Sequence, residues 1–545
     1  MTKTVRRFQL MVVVLALVAA SCGGDDGGAD STTTTADTTD TTAGVTTTAG
    51  PTTTLPPVEG GTLTVAQGVD PRTLTPWSSV AAELSIVRQI NERLVAYDFN
   101  TGDYEPVLAE SYEWIDPTTI EFKLREDVTF TNGEPFNADA VLFSFEKLLD
   151  PEIGGVELSN RTANMGTVEK VDDFTVRLTY TSAIAQSLNM ANLSQTTYMV
   201  PPVYFDEVGY EGFIEDPVGT GPFMFDSRVR DSSVTLVKNP DYNGYSGEAP
   251  LFDTLVFTIL PEPSARVAAL DGGDADIIVD LPFDQVEAVN AAADTRAVSI
   301  PGLRIYEIQV DKGLAGLSEA TPIQEVRQAL MIALDRQLII DTLFEGQGEP
   351  INQLATEGYF GYFDDLPPLE YDPEGAQDLL AQAGFPEGLE IQLECPTGRY
   401  LKDKEVCEVV AAELAKVGIT VPTKVSEVGA YFTAVLAKEA GPMIYIGRLA
   451  PSLNVVDMYN SSLCDSGDSY SCDEQIESLS AAARNALEPD EQLAAIRELV
   501  EYDLSNPNRI PLWVLNDAYG VNERVQGWAP VADQVLEFWG VGLAG

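Results

Sequence analysis

The chain has 545 residues, a 44% hydrophobic fraction, and 85 Asp plus Glu against 32 Lys plus Arg, for a formal net charge of −53. That length exceeds one ordinary core and calls for at least two lobes, while the charge would repel phosphate backbones and anionic membrane surfaces, so nucleic acid is excluded as a partner. The sequence has no histidine, which removes Ser-His-Asp and Cys-His catalysis, a His general base and every His-ligated metal site.

In chain order, the first segment is an address. Lys3, Arg6 and Arg7 precede an unbroken apolar run from Leu10 to Ala20. A spanning helix needs about 20 apolar residues, so residues 1–21 read as a secretory leader. Ala19-Ala20-Ser21-Cys22 resembles a bacterial lipobox, with Ala19 where Leu or Val is usual. Cys22 would then be acylated as the mature N-terminus; plain secretion with cleavage nearby is the alternative. Residues 22–58 are mostly Thr, Gly, Asp and Pro. With so little to bury, such a stretch cannot offset its ordering entropy, and it is expected to be a disordered tether. The body is thus expected outside the cell, held to the membrane through a lipid anchor only.

The body alternates strands and helices. Residues 61–66 read as a first strand, and period-two alternation marks strands at 119–124, 174–178 and 234–237. Residues 263–273 read as a helix stopped by glycine, 275–281 as a buried strand, and 282–293 as a helix opened by proline. Pro322 starts a helix with the stripe Val326, Leu330, Ala333 and Leu334, which Gly346 ends. A strand follows at 389–393, a helix at 403–417 closed by Gly418, and a strand at 419–421. Two helices fill 473–505, and a strand is expected at 510–514. This alternation, without internal repeats, predicts α/β lobes.

Besides Cys22 there are Cys395, Cys407, Cys464 and Cys472. Four cysteines in an oxidising compartment allow three connectivities, of which the sequence-local one, Cys395 with Cys407 and Cys464 with Cys472, is expected. Asp465, Asp468, Asp473 and Glu474 fit no EF-hand spacing, and they read as a solvated acidic loop beside a disulfide.

Several short motifs occur in a fixed order. They are residues 108–114 (LAESYEW), 119–130 (TIEFKLREDVTF) and 132–141 (NGEPFNADAV); Gly219-Thr220-Gly221-Pro222-Phe223 with Asn239-Pro240-Asp241-Tyr242; Ala265-Arg266 with Ala269-Leu270 and residues 273–276; Val326-Arg327-Gln328-Ala329-Leu330 with Ala333-Leu334-Asp335-Arg336; and Gly398-Arg399-Tyr400 before Asp403 and Gly418-Ile419. Together they resemble the signature of extracellular solute-binding proteins, family 5, the dipeptide, oligopeptide and nickel binders of ABC importers. Tyr245 stands where the family has a Trp cluster. The resemblance covers the folded chain from about residue 60 to the end.

The resemblance implies a two-lobed α/β clamshell of the periplasmic-binding-protein type II, large peptide-binding class. Lobe one would hold 59–305, with an extra subdomain at about 105–200, and lobe two 306–505. Residues 506–545 would return to lobe one, and the chain would cross between lobes near Tyr306-Glu307-Ile308 and again near 505–515. It implies a monomer that captures a peptide or other small molecule and delivers it to an ABC permease and its ATPase, with no catalysis, cofactor or metal. By position, Trp77, Ser78, Asp280, Tyr306, Glu307, Arg399, Tyr400, Tyr445, Gly447, Arg448 and Leu449 fall near the cleft. Each also has a structural reading: Trp77 as a packed aromatic, Tyr306 and Glu307 as braces of the hinge, Arg399 and Tyr400 as lobe packing, Asp335-Arg336 as a local helix-end pair.

Peptide binders of the family often show Gly-Trp and then an Asp that pairs with the peptide ammonium. Here the stretch reads Gly447-Arg448-Leu449-Ala450-Pro451-Ser452, so Arg448 takes the Trp position and Pro451 the Asp position. The carboxylate is missing unless Asp457 or another acid substitutes. Arg448 would instead pair with a ligand carboxylate or phosphate, or else serve as an ion-pair partner within the protein; on the first reading the cargo carries an anionic group. Two rival functions remain, an extracellular carboxylate-pair hydrolase and a surface sensor or adhesin without a transporter.

Overall fold

The computed structural model describes residues 57–544 apart from 79, 100, 154–157, 159–161, 245 and 451. The leader, Cys22, the tether up to residue 56, Tyr245 and Pro451 lie outside the described residues. The last two tether residues, Pro57–Val58, form a short strand against Leu543 and Ala544.

Alternating apolar runs become strands of one large sheet. In spatial order it contains Thr423–Glu427, Leu393–Thr397, Met443–Arg448, Thr295–Val310, Arg509–Asn522, Ile277–Ile278, Thr62–Gln67, Thr254–Ile259, Ser233–Lys238 and Phe223–Val229, with Gly348–Pro350 paired to Arg509–Asn522. Two strands run its length between the halves: the first crossing strand, Thr295–Val310, and the second, Arg509–Asn522, paired antiparallel. The N-terminal half pairs Thr62–Gln67 in parallel with Thr254–Ile259 and Ile277–Ile278. In the C-terminal half Leu393–Thr397 is parallel to both its neighbours, with the helix Asp403–Ala415 as one crossover.

Each half is packed on both faces. Leu63, Val65 and Phe257 bury one face of the N-terminal half with Trp528 and Phe538, and Ala66, Ile278 and Leu281 bury the other. In the C-terminal half, Ile308 and Val310 pack against Val326, Leu330, Val410 and Leu414. Ile305, on the opposite face, packs with Val455, Ile476, Ile496 and Leu499. The period of two divides each strand's residues between two cores, which is the doubly covered arrangement of a parallel-rich sheet. A four-stranded antiparallel sheet (Ala109–Asp116, Thr119–Leu124, Thr175–Tyr180, Met165–Asp172) with the helix Ala138–Leu148 builds a separate core around Phe122, Phe136 and Phe145.

Several motif residues have local structural work. Asn137 caps Ala138–Leu148 by accepting from the Asp139 and Ala140 amides at 2.9 and 3.2 Å. Arg266 and Arg327 tie turns together by donating to carbonyls, of Leu260 and Val279 and of Thr321 and Pro322 respectively. The helix expected from Pro322 to Gly346 is two helices, Gln324–Ile332 and Arg336–Phe344. Asp335 restarts the chain by accepting from the Leu338 amide at 3.0 Å. The expected Asp335–Arg336 pair is corrected, because Arg336 is buried and donates to the carbonyls of Met331, Leu334 and Pro511. The strand expected at 275–281 has only Ile277–Ile278 in the ladder, and the strand expected at 510–514 extends over 14 residues. Both expected disulfides, Cys395–Cys407 and Cys464–Cys472, are present.

Trp513 on the second crossing strand is fully buried, 5.9 Å ring to ring from Phe344. Trp513→Ala should therefore cost about 3–5 kcal/mol in urea unfolding, whereas the cap deletion Asp335→Ala should cost only about 1 kcal/mol.

Candidate ligand-binding site at the crossing strands

The two crossing strands are not continuously paired. Residues 295–301 pair with 516–522, and pairing resumes at Ile305 opposite Val514, so three residues on one strand face one on the other. Gly302 lies in this break, where an added Cβ would sit 2.3 Å from the Leu515 carbonyl oxygen. Only glycine allows the strands to approach so closely there. The break falls between the two doubly packed halves of the sheet.

Beyond the break the first crossing strand presents different chemistry on its two faces. On one face, Tyr306 lies beside Gly447 and Ile308 beside Tyr445 in the adjacent strand. The Tyr306 and Tyr445 rings stack at 6.1 Å, and Tyr400 stands edge-on to both, at 5.4 and 5.8 Å. The Tyr400 hydroxyl donates to the Gly447 carbonyl at 3.2 Å, and the Tyr431 hydroxyl to that of Tyr445 at 2.7 Å. Gly447 leaves the room these rings use: a Cβ there would be 3.0 Å from Tyr306 and 3.1 Å from both Tyr400 and Arg304. The exposed Arg399 guanidinium lies 5.3 Å over the Tyr400 ring. Burial pushes the Tyr306 and Tyr445 hydroxyls up, so both remain neutral donors at physiological pH.

On the opposite face Glu307 is fully buried between two guanidiniums. Arg509 bonds both its oxygens, at 2.8 Å from Nε and 2.6 Å from Nη2, and Arg448 Nε bonds it at 3.0 Å. Arg448 spends its remaining donors on Ser461 (2.7 Å), Asp468 (2.6 Å) and Gln309 (2.8 Å). Burial alone would raise the Asp468 carboxyl, but the Arg448 guanidinium and hydrogen bonds from Ser466 and Ser461 hold it well below the usual carboxylate range. Asp468 and Asp473 therefore do not form a free acidic loop, since Asp473 caps the helix Glu474–Asn485 and pairs with Lys312 at 2.5 Å.

On the N-terminal side of the break stand Asp517 and its neighbours. Asp517 Oδ1 accepts from Gln534 Nε2 at 2.5 Å, and Oδ2 is buried without a partner among the described residues. Gln534 Oε1 accepts from Arg304 Nη2 at 3.2 Å. Burial pushes the Asp517 carboxyl up; with Gln534 opposing and the Asp280 charge adding, it reaches about 7. Gln534 and Asp280 both hold left-handed backbone (φ 65 and 51), a cost that surrounding structure must impose.

The structure thus brings together Tyr306, Arg399, Tyr400, Tyr445 and Gly447, with Asp280 across the break. It moves five expected cleft residues elsewhere. Trp77 is buried in the core with Phe205. Ser78 is also buried; its hydroxyl donates to Glu83 and accepts from the Val80 amide, which ties the turn before the helix Ala81–Ile90 to that helix. Glu307 has no exposed surface, and Arg448 is paired with two internal carboxylates, Glu307 and Asp468, which removes the basis for an anion site at Arg448. Leu449 is half-buried against the core that holds Val455 and Ile496. Asp457, the suggested substitute acid, pairs with Arg484 at 2.9 Å. Arg304, Asp517, Tyr519 and Gln534 were not singled out from sequence. A lone cation two residues before Tyr306 was a readable signal, but nothing local marks a C-terminal segment that folds back by hundreds of residues. Among the described residues no group of three or more His, Cys, Asp or Glu is arranged to hold a metal.

With this geometry in place, the comparisons define the class. Residues 103–470 match the profile of bacterial extracellular solute-binding proteins, family 5 Middle, and the chain belongs to that family. Heme-binding protein A of Haemophilus influenzae is 31% identical over 356 residues, 61% of this chain and 64% of that protein, so the chain spans slightly less than two thirds of this relative. The dipeptide-binding protein of Escherichia coli is 29% identical over 393 residues, 67% of this chain and 71% of that protein. In structure, the ABC transporter-associated periplasmic binding protein DppA from Helicobacter pylori, solved with the peptide STSA, superposes with a TM-score of 0.77 at 24% identity, over 90% of this chain and 99% of that one. The fold is the two-lobed clamshell of the peptide-binding class.

Glu307→Gln should cost about 3–5 kcal/mol in urea unfolding, because it leaves two buried guanidiniums short of charge. Asp517 sets a pH dependence. An unfolded Asp titrates near 3.9 and this one near 7, so the unfolded chain releases its proton first and stability falls as pH rises from about 4 to 7. Asp517→Asn removes that loss: its stability relative to wild type should be nearly flat below pH 4, grow through this window and level off above pH 7, as read from urea midpoints.

Proposed function

We propose that this protein is the solute-capturing component of an ABC importer, taking a peptide or peptide-like small molecule outside the cell and delivering it to a membrane permease with its ATPase. The observation that carries the reading is the break in strand pairing between the two halves of the sheet, where half-buried Arg304 and exposed Arg399 lie beside the buried cluster of Tyr306, Tyr400 and Tyr445. A cleft of that kind needs apolar walls with a few placed polar groups, and a break in strand pairing lets rigid lobes rotate about it. Family membership supports the same reading, as does the peptide bound in the superposing Helicobacter pylori protein. The relatives' printed names include both heme and dipeptide binding, so the shell does not by itself set the cargo.

In this reading lobe one comprises 59–305 with its subdomain at about 105–200, lobe two 306–505, and 506–545 returns to lobe one. Tyr306, Tyr400 and Gly447 form the wall on the lobe-two side, backed by the buried Tyr445, with Arg399 at its rim and Asp280 facing it. The protein acts as a monomer, without catalysis, and is anchored through an acylated Cys22. Two measurements test this. Native mass spectrometry after incubation with a mixture of di- to pentapeptides should show one cargo per chain with its mass unchanged; cleaved products would favour the hydrolase reading instead. Fatty-acid labelling in cells should mark the wild type and not Cys22→Ser, and label retained by Cys22→Ser would contradict the anchor.

A further inference from the structure

Glycine and threonine alternate in Gly219-Thr220-Gly221 because two surfaces meet there. The glycines press on an earlier stretch of chain: an added Cβ would lie 2.1 Å from the Ile90 carbonyl oxygen at Gly219 and 2.5 Å from that of Gln89 at Gly221. Thr220, between them, stands beside the Glu92 carboxylate. Asn239 fastens the next motif to this one, donating through Nδ2 to the Gly221 carbonyl at 2.9 Å and accepting at Oδ1 from the Asp241 amide at 3.0 Å. Between these segments lies a cavity of about 190 Å³, whose wall includes Glu92, Thr129, Thr131, Thr220, Asn239 and Asp241. It shares no residue with the crossing strands.

Glu92 is 3% exposed. Its Oε1 accepts from the Ser246 hydroxyl at 2.6 Å and from that of Tyr242 at 3.3 Å. Its Oε2 is buried without a hydrogen-bond partner, and so is Thr220 Oγ1. Ser246 and Tyr242 lie outside the cavity wall and Thr220 within it, so the unpartnered oxygen is on the cavity side. Four other glutamates among the described residues are buried, and each meets a cation: Glu83 with Arg72, Glu307 with Arg448 and Arg509, Glu394 with Lys424, and Glu413 with Lys416. Glu92 forms no ion pair among the described residues. A buried carboxylate that keeps its charge needs a partner of opposite sign.

We propose that this cavity is a calcium site, with Glu92 and Asp241 as its charged ligands and Thr220 as a neutral one. The donors on offer are carboxylate, hydroxyl and amide oxygens, with no His or Cys in the wall, a set that suits hard cations. Two carboxylates among neutral oxygens from separate turns make an irregular cage. Calcium accepts such a cage, and the smaller, strictly octahedral magnesium does not. Two charges are few, so the affinity is that of extracellular calcium modules, with a Kd of about 0.1–1 mM. One ion would tie the turn at Thr129–Thr131, which leads into the helix Ala138–Leu148, to the Gly219–Phe223 and Asn239–Tyr242 turns beside the large sheet. It therefore acts on how the four-stranded subdomain is seated, and the site goes beyond the capture of cargo and does not depend on it.

The test uses the whole secreted chain, freed of metal on a chelating resin and titrated with calcium chloride or magnesium chloride at constant ionic strength. Calorimetry should show one calcium per chain with a Kd of about 0.1–1 mM, and magnesium about tenfold weaker or more. Terbium, a luminescent stand-in for calcium, should be sensitised by Tyr242 and Trp539, whose rings stack at 6.3 Å next to Glu92, and calcium should displace it. Glu92→Gln should weaken calcium about tenfold or more and lose the luminescence, and Asp241→Asn should weaken calcium severalfold, since affinity follows ligand charge. The exposed Glu110→Gln should change neither signal, which separates a site from general attraction to 85 acids. If Glu92→Gln does not fold, Asp241→Asn, on the exposed rim, decides alone. The assignment is overturned if wild type shows no saturable one-to-one calcium binding up to about 10 mM, or if the folded variants bind calcium as tightly as wild type. Saturation by methylammonium and not by calcium would make the cavity an organic-cation pocket and would equally overturn it.

Discussion

Glu307 holds two buried guanidiniums at once, and much of the C-terminal half depends on that arrangement. Arg509 belongs to the second crossing strand and Arg448 to the strand on the other side of the first, so one carboxylate ties three neighbouring strands together. Ser461, Gln309 and Asp468 satisfy the outer donors of Arg448, and the Cys464–Cys472 disulfide closes the loop that carries Asp468. Buried charges are tolerable only when each is paired and hydrogen-bonded. Here the network extends through six side chains, which fixes strand register at the place where the two halves of the sheet meet.

That rigidity gives the nearby break its meaning. From Ile305 onward the first crossing strand is locked by the network on one face and by stacked tyrosines on the other. From Pro301 back it is paired again with residues 516–522. The three residues between these runs lie outside the strand pairing: Gly302 lets the strands pass in contact, and Leu303 is held by its burial and by the Tyr359 hydroxyl, which donates to its carbonyl at 3.0 Å. A protein that closes over a solute needs two stiff bodies and a short compliant connection. The absence of histidine is no handicap to such a protein, since capture requires shape and placed dipoles rather than proton transfer.

The architecture was largely legible in the sequence because it rests on periodicity and turn chemistry. Period-two runs such as 119–124 became strands with nearly the expected bounds, and the paired helices in 473–505 followed their apolar stripes. The site was legible only in part. Tyr306, Tyr400 and Gly447 could be placed by position along strands and motifs. The facing direction of Glu307 and Arg448 could not, because one residue's difference along a strand decides which of the two faces of the sheet a side chain joins. Arg448 looked available in isolation; only the fold brought Asp468, twenty residues on, and Glu307, on another strand, into contact with it. The Asp517–Gln534–Arg304 chain joins segments far apart in sequence, and no local pattern encodes it.

The central claim is that the lobes turn about the pairing break and stay rigid on either side. Amide hydrogen exchange with and without bound cargo tests it most directly. The account predicts that protection changes concentrate at residues 302–304 and 515–517, while 305–310 and 509–514 remain protected in both states. Protection changes spread through 305–310 and 509–514, with the break unaffected, would contradict it.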